Sequence, residues 1–357
     1  MRALAAVGCR WIGKSIAVGG VGLLLASNPL WAAAGDAPES RVQARQIFGV
    51  LPPNAATAER PMPEARVNLG RMLYFDPRLS LGQDISCNSC HRLDLYGVDG
   101  EPTSPGHRGQ RGGRNSPTSL NAALHVAQFW DGREPDVEAQ AKGPVLNPIE
   151  MAMPSEEAVV AVLASIPGYP PLFTAAFPGE SDPLNYENMA RAIGSFERGL
   201  ITPSPFDGFM AGEEDRLSPQ AVEGLELFLS VGCVSCHNGP LVGGTTYRKL
   251  GLIKAYPTED KGKENVTGLP EDRFVFKVPS LRNVAQTGPW FHDGSIQSLD
   301  QAILVMGRHQ LGVELDATQR AQIGAFLESL TGRVDPAFVA EPELPENGPN
   351  TPGPDRS

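Results

Sequence analysis

Apolar residues recur at helical spacing along much of the chain. In 185–201, Met189, Ile193, Phe196 and Leu200 fall three or four residues apart and predict one face of a helix. Ser218-Pro219 is a cap and first-turn pair ahead of Val222, Leu225 and the run Leu227-Phe228-Leu229, so a second helix should lead directly into Cys233. Ile323, Phe326, Leu327 and Leu330 form another stripe before Gly332, which is expected at a helix C-cap. The apolar run Ala302 to Val305 predicts a helix ending at Met306-Gly307. Strand-like alternation is sparse. The expectation is a mainly α fold with long loops.

The N-terminus has a different pattern. Arg2, Arg10 and Lys14 precede 21 uncharged residues, Ser15 to Gly35, with an apolar run at Ile16–Ala26 and small residues at Ala32–Ala34. This is the layout of a signal peptide over 1–34, cleaved near Ala34, and it implies a periplasmic protein with no membrane insertion of the mature chain. A retained anchor is the alternative, since 21 uncharged residues just suffice to span a bilayer. Cleavage would remove Cys9 and three basic residues, taking the net charge from −11 to −14. Such acidity argues against nucleic-acid binding and suits a basic protein partner, although simple solubility accounts for it equally well.

Gly (39) and Pro (33) make up about a fifth of the chain without a collagen period, so loops should be abundant. Residues 35–63 read as an N-terminal arm packing on either domain. Pro203-Ser-Pro205 and Gly212–Asp215 mark a connection between a domain at 64–205 and another at 206–340. Residues 341–357 hold five prolines and read as a disordered tail.

Candidate chemistry lies in the cysteines. Cys87-Asn-Ser-Cys90-His91 and Cys233-Val-Ser-Cys236-His237 are both C-x-x-C-H. Two thiols at this spacing can form thioethers to haem vinyl groups, and the next imidazole then reaches the iron. Disulfides, a redox pair or zinc ligands are the alternatives, but a four-Cys zinc site leaves both histidines unexplained. The likeness extends further: Pro117 to Asn121 then Phe129-Trp-Asp-Gly132 in the first half, and Pro279 to Asn283 then Trp290-Phe-His-Asp-Gly294 in the second. A duplicated one-haem domain explains both, giving two covalently bound c-type haems. Opposite His91, the residues leave His107, His125, Met151 and Met153 as candidate ligands. Opposite His237 they leave His292, Met306 and His309.

These motifs belong to a wider pattern. Leu73–Leu79 (LYFDPRL), Phe129–Arg133 (FWDGR), Gln140–Pro144 (QAKGP), Ile201–Pro203, Gly232–Gly239, Leu281–Val284 and Val305–Gly307 together resemble the bacterial di-haem cytochrome c peroxidases over nearly all of 38–340. The resemblance implies two tandem cytochrome c-like haem domains. It implies reduction of hydrogen peroxide with electrons from a small periplasmic cytochrome c or a cupredoxin, by a homodimer. It makes His107 the distal ligand of a low-potential, peroxidatic N-terminal haem and Met306 that of a high-potential C-terminal haem. Trp130 matches the tryptophan between the haems, and Gln140 and Glu150 match polar residues of the peroxide pocket. Asn115 matches a calcium-binding side chain between the domains, with Thr287 and Pro289 supplying carbonyls. Gly208 departs from the pattern, where arginine is common, but lies outside the haem motifs. Two other functions fit two haems: a non-catalytic electron carrier, and an oxidase that matures tryptophans on a partner. Related oxidases of the latter kind carry Tyr at the position of Met306.

Overall fold

The computed structural model describes residues 39–355. The expected signal segment and Cys9 lie outside the described residues. The described residues are mainly helical, and the one two-stranded sheet among them pairs Tyr247–Lys249 antiparallel with Val275–Lys277. Among the described residues no single helix is long and apolar enough to cross a membrane.

Buried apolar residues gather into two main cores. The first runs from Leu69 to Leu200 and is built on the helices Glu64–Phe75 and Tyr186–Glu197, with Tyr74 edge-on to Phe196 at 5.4 Å. The second runs from Phe206 to Leu330, on the helices Pro219–Ser230 and Ala317–Ser329. Three of these four helices start where the sequence supplies a cap: Asn185 accepts from the Asn188 amide, Ser218 from Ala221 and Asp316 from Gln319. Both helix pairs cross at a glycine. A Cβ on Gly70 would lie 1.9 Å from the Ala192 carbonyl oxygen, and one on Gly224 would lie 1.9 Å from that of Gln322.

The duplication is visible in the backbone. Asn121 and Asn283 both take φ +61°, and Phe129 and Phe291 take +64° and +71°. Isolated bridges close the two aromatic turns, Gln128 with Glu134 and Trp290 with Ile296. The halves meet through reciprocal bonds: the Asn115 amide donates to the His292 carbonyl and the Lys277 amide to that of Trp130, each at 2.8 Å.

Three expectations need correcting. Gly332 does not cap a helix, which already ends at Ser329; it lets the chain pass the Thr202 and Pro203 carbonyl oxygens, 2.6 and 2.2 Å from where its Cβ would stand. Residues near 338 do not belong to the C-terminal core, because Phe338 stacks on Phe196 at 5.2 Å and the Ala337 carbonyl accepts from Arg71. The tail is ordered as far as it is described. Buried Arg78 donates to the Pro345 carbonyl and to Asn347 Oδ1, Gln83 donates to the Pro352 carbonyl, and Thr351 bonds Ser165. Its polar backbone supplies partners that apolar composition could not reveal.

The arm uses both halves. Its helix Glu39–Phe48 packs Phe48 on Phe206, while Ala55 exchanges backbone and side-chain bonds with Arg198 in the first half.

Candidate functional site

The first C-x-x-C-H motif forms one helical turn, Cys87–Cys90, tightened by a capping box between Ser86 and Ser89. Buried Tyr74 pins the end of that turn, donating to the His91 carbonyl at 2.8 Å. The second motif comes after Gly232, whose φ of +99° turns the chain out of the Pro219–Ser230 helix. Here the Cys233 carbonyl accepts from the His237 amide, and Asn238 Nδ2 reaches back to the Val234 carbonyl.

The four cysteines are unbridged. Burial pushes the Cys87 thiol up, Cys90 to about 11 and Cys233 to about 12. A thioether sulfur carries no charge and suits such surroundings, whereas a thiolate does not. Burial also lowers both histidines, His237 to about 4, so both are neutral and fit for ligation. His237 Nδ1 lies 3.3 Å from the Val242 carbonyl oxygen, which leaves Nε2 as the ligating atom. His91 Nδ1 is buried without a hydrogen-bond partner, and the Pro117 carbonyl, followed by the Asp99 charge, pulls its pKa upward against burial. Pro279, the counterpart of Pro117, does the same for His237. Among the described residues no three His, Cys, Asp or Glu side chains converge on a metal site, so the zinc reading has no support. The residues present fit c-type haem.

A cavity joins much of the expected site. Cys233, Cys236, His237 and Met306 line it, together with Asn115, Trp130, Thr287 and Pro289. Met306 is the last residue of the helix Leu299–Met306, which continues in a wider turn ended by Gly312. Trp130 donates from Nε1 to the Asn115 carbonyl at 2.9 Å. Asn115 Nδ2 donates to the Glu101 carbonyl, leaving Oδ1 as the atom able to ligate a cation. Thr287 precedes the cis Gly288–Pro289 bond, of which Pro289 is part. Of the other candidates opposite His237, His292 Nε2 pairs with Thr258 Oγ1, and His309 Nδ1 faces the Lys254 and Ala255 carbonyls.

His107, Gln140 and Glu150 do not line this cavity. His107 is buried in the turn His107–Gly109, and its amide is shared by the carbonyls of Ile149 and Glu150 at 2.9 and 2.8 Å. Gly106 is required there, because a Cβ would stand 2.1 Å from the Ile149 carbonyl oxygen. Burial raises the pKa of Glu150, against the pull of Arg133 and a bond from Asn147 Nδ2. The Glu150 charge is felt at Cys90 of the first attachment turn. Gln140 is half-buried on the helix Val137–Leu146, and no hydrogen bond ties its side chain to Glu150 or His107. Met151 and Met153 belong to the first core.

Two buried ionisable residues escaped the sequence reading. Glu197 lies close enough to Cys87 and Tyr74 to raise both, and Lys277 lines the cavity described above. No motif marks either one; a buried charge is a property of packing, and a charged residue in a sequence reads first as surface.

Residues 64–215 match the di-haem cytochrome c peroxidase family model. The chain is 45% identical over 309 residues to a cytochrome c551 peroxidase of Nitrosomonas europaea, covering 86% of this chain and 88% of that protein. It is 42% identical over 319 residues to a cytochrome c551 peroxidase of Pseudomonas aeruginosa, covering 87% and 91%. A crystal structure of a MauG-like protein associated with microbial copper homeostasis superposes with a TM-score of 0.75 at 28% identity, over 82% of this chain and 97% of that one. Two duplicated attachment turns on a shared helical frame, and relatives that span nearly the whole fold, lead to one assignment: the chain belongs to the di-haem cytochrome c peroxidase family, whose members carry two c-type haems.

Proposed function

We propose that this enzyme reduces hydrogen peroxide to two waters, consuming two electrons and two protons, with a small cytochrome c or a cupredoxin as donor. The two haems supply electron storage and the iron at which peroxide is reduced. Met306 and His237 hold the C-terminal haem, where the thioether favours ferrous iron and so suits electron entry. His91 and His107 hold the N-terminal haem. Trp130 couples the two, packed where the halves exchange backbone hydrogen bonds.

The observation that carries this reading is the contact between His107 and Glu150. The turn bearing His107 hangs from the carbonyls of Ile149 and Glu150, and the Glu150 carboxyl is half-buried with a raised pKa, its charge felt at Cys90. Withdrawal of His107 would break those bonds and free the peroxide side of the site next to Glu150. That carboxyl then accepts a proton from one peroxide oxygen and donates it to the other. Gln140 cannot titrate and orients by hydrogen bonding. Asn115, through Oδ1, and the Thr287 and Pro289 carbonyls hold one calcium ion between the halves, giving an oxygen-only ligand set. The acidic chain works in the periplasm as a homodimer and attracts a basic donor.

The test is peroxide turnover with a reduced small cytochrome c, run in parallel on fully oxidised and half-reduced holoenzyme. Turnover in the half-reduced form is expected, together with a high-spin ferric signal after one-electron reduction. If both irons stay six-coordinate and neither form consumes peroxide, the protein is an electron carrier and the proposal fails.

A further inference from the structure

The cavity lined by Cys233, Cys236, His237 and Met306 has an unbalanced wall. Arg248 and Lys277 line it, and no aspartate or glutamate does. Lys277 is only 6% exposed, and it forms no salt bridge among the described residues. Its only side-chain hydrogen bond is to His125 Nδ1, at 2.9 Å. An ammonium has no lone pair, so Nδ1 must be the acceptor and His125 carries its proton on Nε2. That Nε2 is buried and has no partner. Gly244 keeps the space beside it clear: a Cβ there would stand 3.2 Å from Nε2 and 2.8 Å from Cδ2. Burial alone accounts for the lowered pKa of Lys277, about 8, so no neighbouring carboxylate supports the charge. A buried cation and a buried orphan N–H on the wall of one cavity are costly unless an anion joins them.

We propose that Lys277 and His125 together bind a propionate of the C-terminal haem, Lys277 through Nζ and His125 through Nε2–H. The inference rests on reading this cavity as a haem pocket. It adds a function for the interface between the halves: His125 comes from the first half, and the Lys277 amide already donates to the Trp130 carbonyl. The propionate would then be held jointly by both halves, next to the residue proposed to couple the haems.

Intact mass comes first: a missing second haem would overturn the reading of the cavity itself. With two haems attached, a crystal structure of the wild-type holoprotein should show a propionate oxygen at about 2.7–3.2 Å from both Lys277 Nζ and His125 Nε2. Propionates placed elsewhere overturn this inference and leave the haem pocket standing. In solution, Lys277→Gln should favour ferric over ferrous iron at the Met-ligated haem by tenfold, a fall of about 59 mV for one electron, and Lys277→Arg should restore most of it. An upper midpoint unchanged in Lys277→Gln would likewise refute the inference.

Discussion

Glu150, half-buried, and Glu197, buried, are carboxyls whose charges are felt at the cysteines of the first attachment turn, yet their surroundings assign them different work. Glu150 keeps a hydrogen bond from Asn147 and lies beside the loop that presents His107. Only the Glu150 carbonyl, not its carboxyl, holds that loop, so Glu150→Gln should leave reductive opening intact. Loss of a general acid–base group typically costs about 10²–10⁴-fold, and turnover should fall by that range. Stopped-flow mixing of the half-reduced variant with peroxide checks this; wild-type cleavage rates would make Glu150 a structural residue. The Glu197 carboxyl forms no hydrogen bond among the described residues. Burial, then the nearby Glu138, raise it to about 8, with Arg198 opposing. The folded protein therefore holds this proton more tightly than the unfolded chain, where a Glu titrates at about 4.3. Stability should fall as pH rises from that value to about 8, then level off. Glu197→Gln cannot ionise and should lose that component, seen as a flatter difference between denaturant midpoints at pH 5 and pH 8. An identical pH dependence would place the titration elsewhere. The cysteines and histidines were legible in the sequence because thioether attachment demands a fixed spacing. Glu197 and Lys277 were not, since only the folded chain buries them.

At the scale of elements, each haem domain depends on a helix crossing that admits no side chain. Gly224 sits against the Gln322 carbonyl, and a methyl there must push the Pro219–Ser230 and Ala317–Ser329 helices apart. Overpacking of this kind costs about 1–3 kcal/mol, so Gly224→Ala should lower the thermal midpoint while both haems stay attached. Calorimetry with intact mass tests it, and an unchanged midpoint would mean that the helices adjust freely. The helices themselves were readable, because Met189, Ile193 and Phe196 share one face and Ser218-Pro219 begins the next. Their crossing points were not, because a glycine inside a helix looks the same whether it touches a backbone or water. The tail shows the same limit. Its prolines announce an extended chain, but nothing in them says that Pro345 and Asn347 would satisfy Arg78, whose other nitrogens are committed to Asp76.

Across the whole molecule, the two halves are joined at a point that the duplication itself locates. Thr202 immediately precedes the connecting Pro203-Ser-Pro205, is fully buried, and its hydroxyl oxygen accepts from Asn121 Nδ2 at 2.8 Å and from Asn283 Nδ2 at 3.0 Å. Those two asparagines are the repeat-related residues with matching left-handed backbone, so one side chain serves both halves. The same asparagines fix the chain on either side: Asn121 Oδ1 accepts from the Thr202 amide, and Asn283 Oδ1 from that of Gly332. Thr202→Val keeps the shape and removes the acceptor, leaving two buried N–H donors without a partner. Each such donor costs about 1–3 kcal/mol, and the cost falls on the junction, not within either core. The variant should therefore unfold in two steps, one per half, where a single step is expected of the wild type. Haem-specific absorbance followed during a thermal scan separates the two, because the haem attached at Cys233 and Cys236, with Met306 as its proposed ligand, would report on the C-terminal half. On the proposed mechanism reductive opening should also slow, since a switch passing from one haem to the other would depend on the halves moving as a unit. A single cooperative transition in Thr202→Val, with opening at the wild-type rate, would show that the Trp130–Lys277 and Asn115–His292 bonds couple the halves unaided.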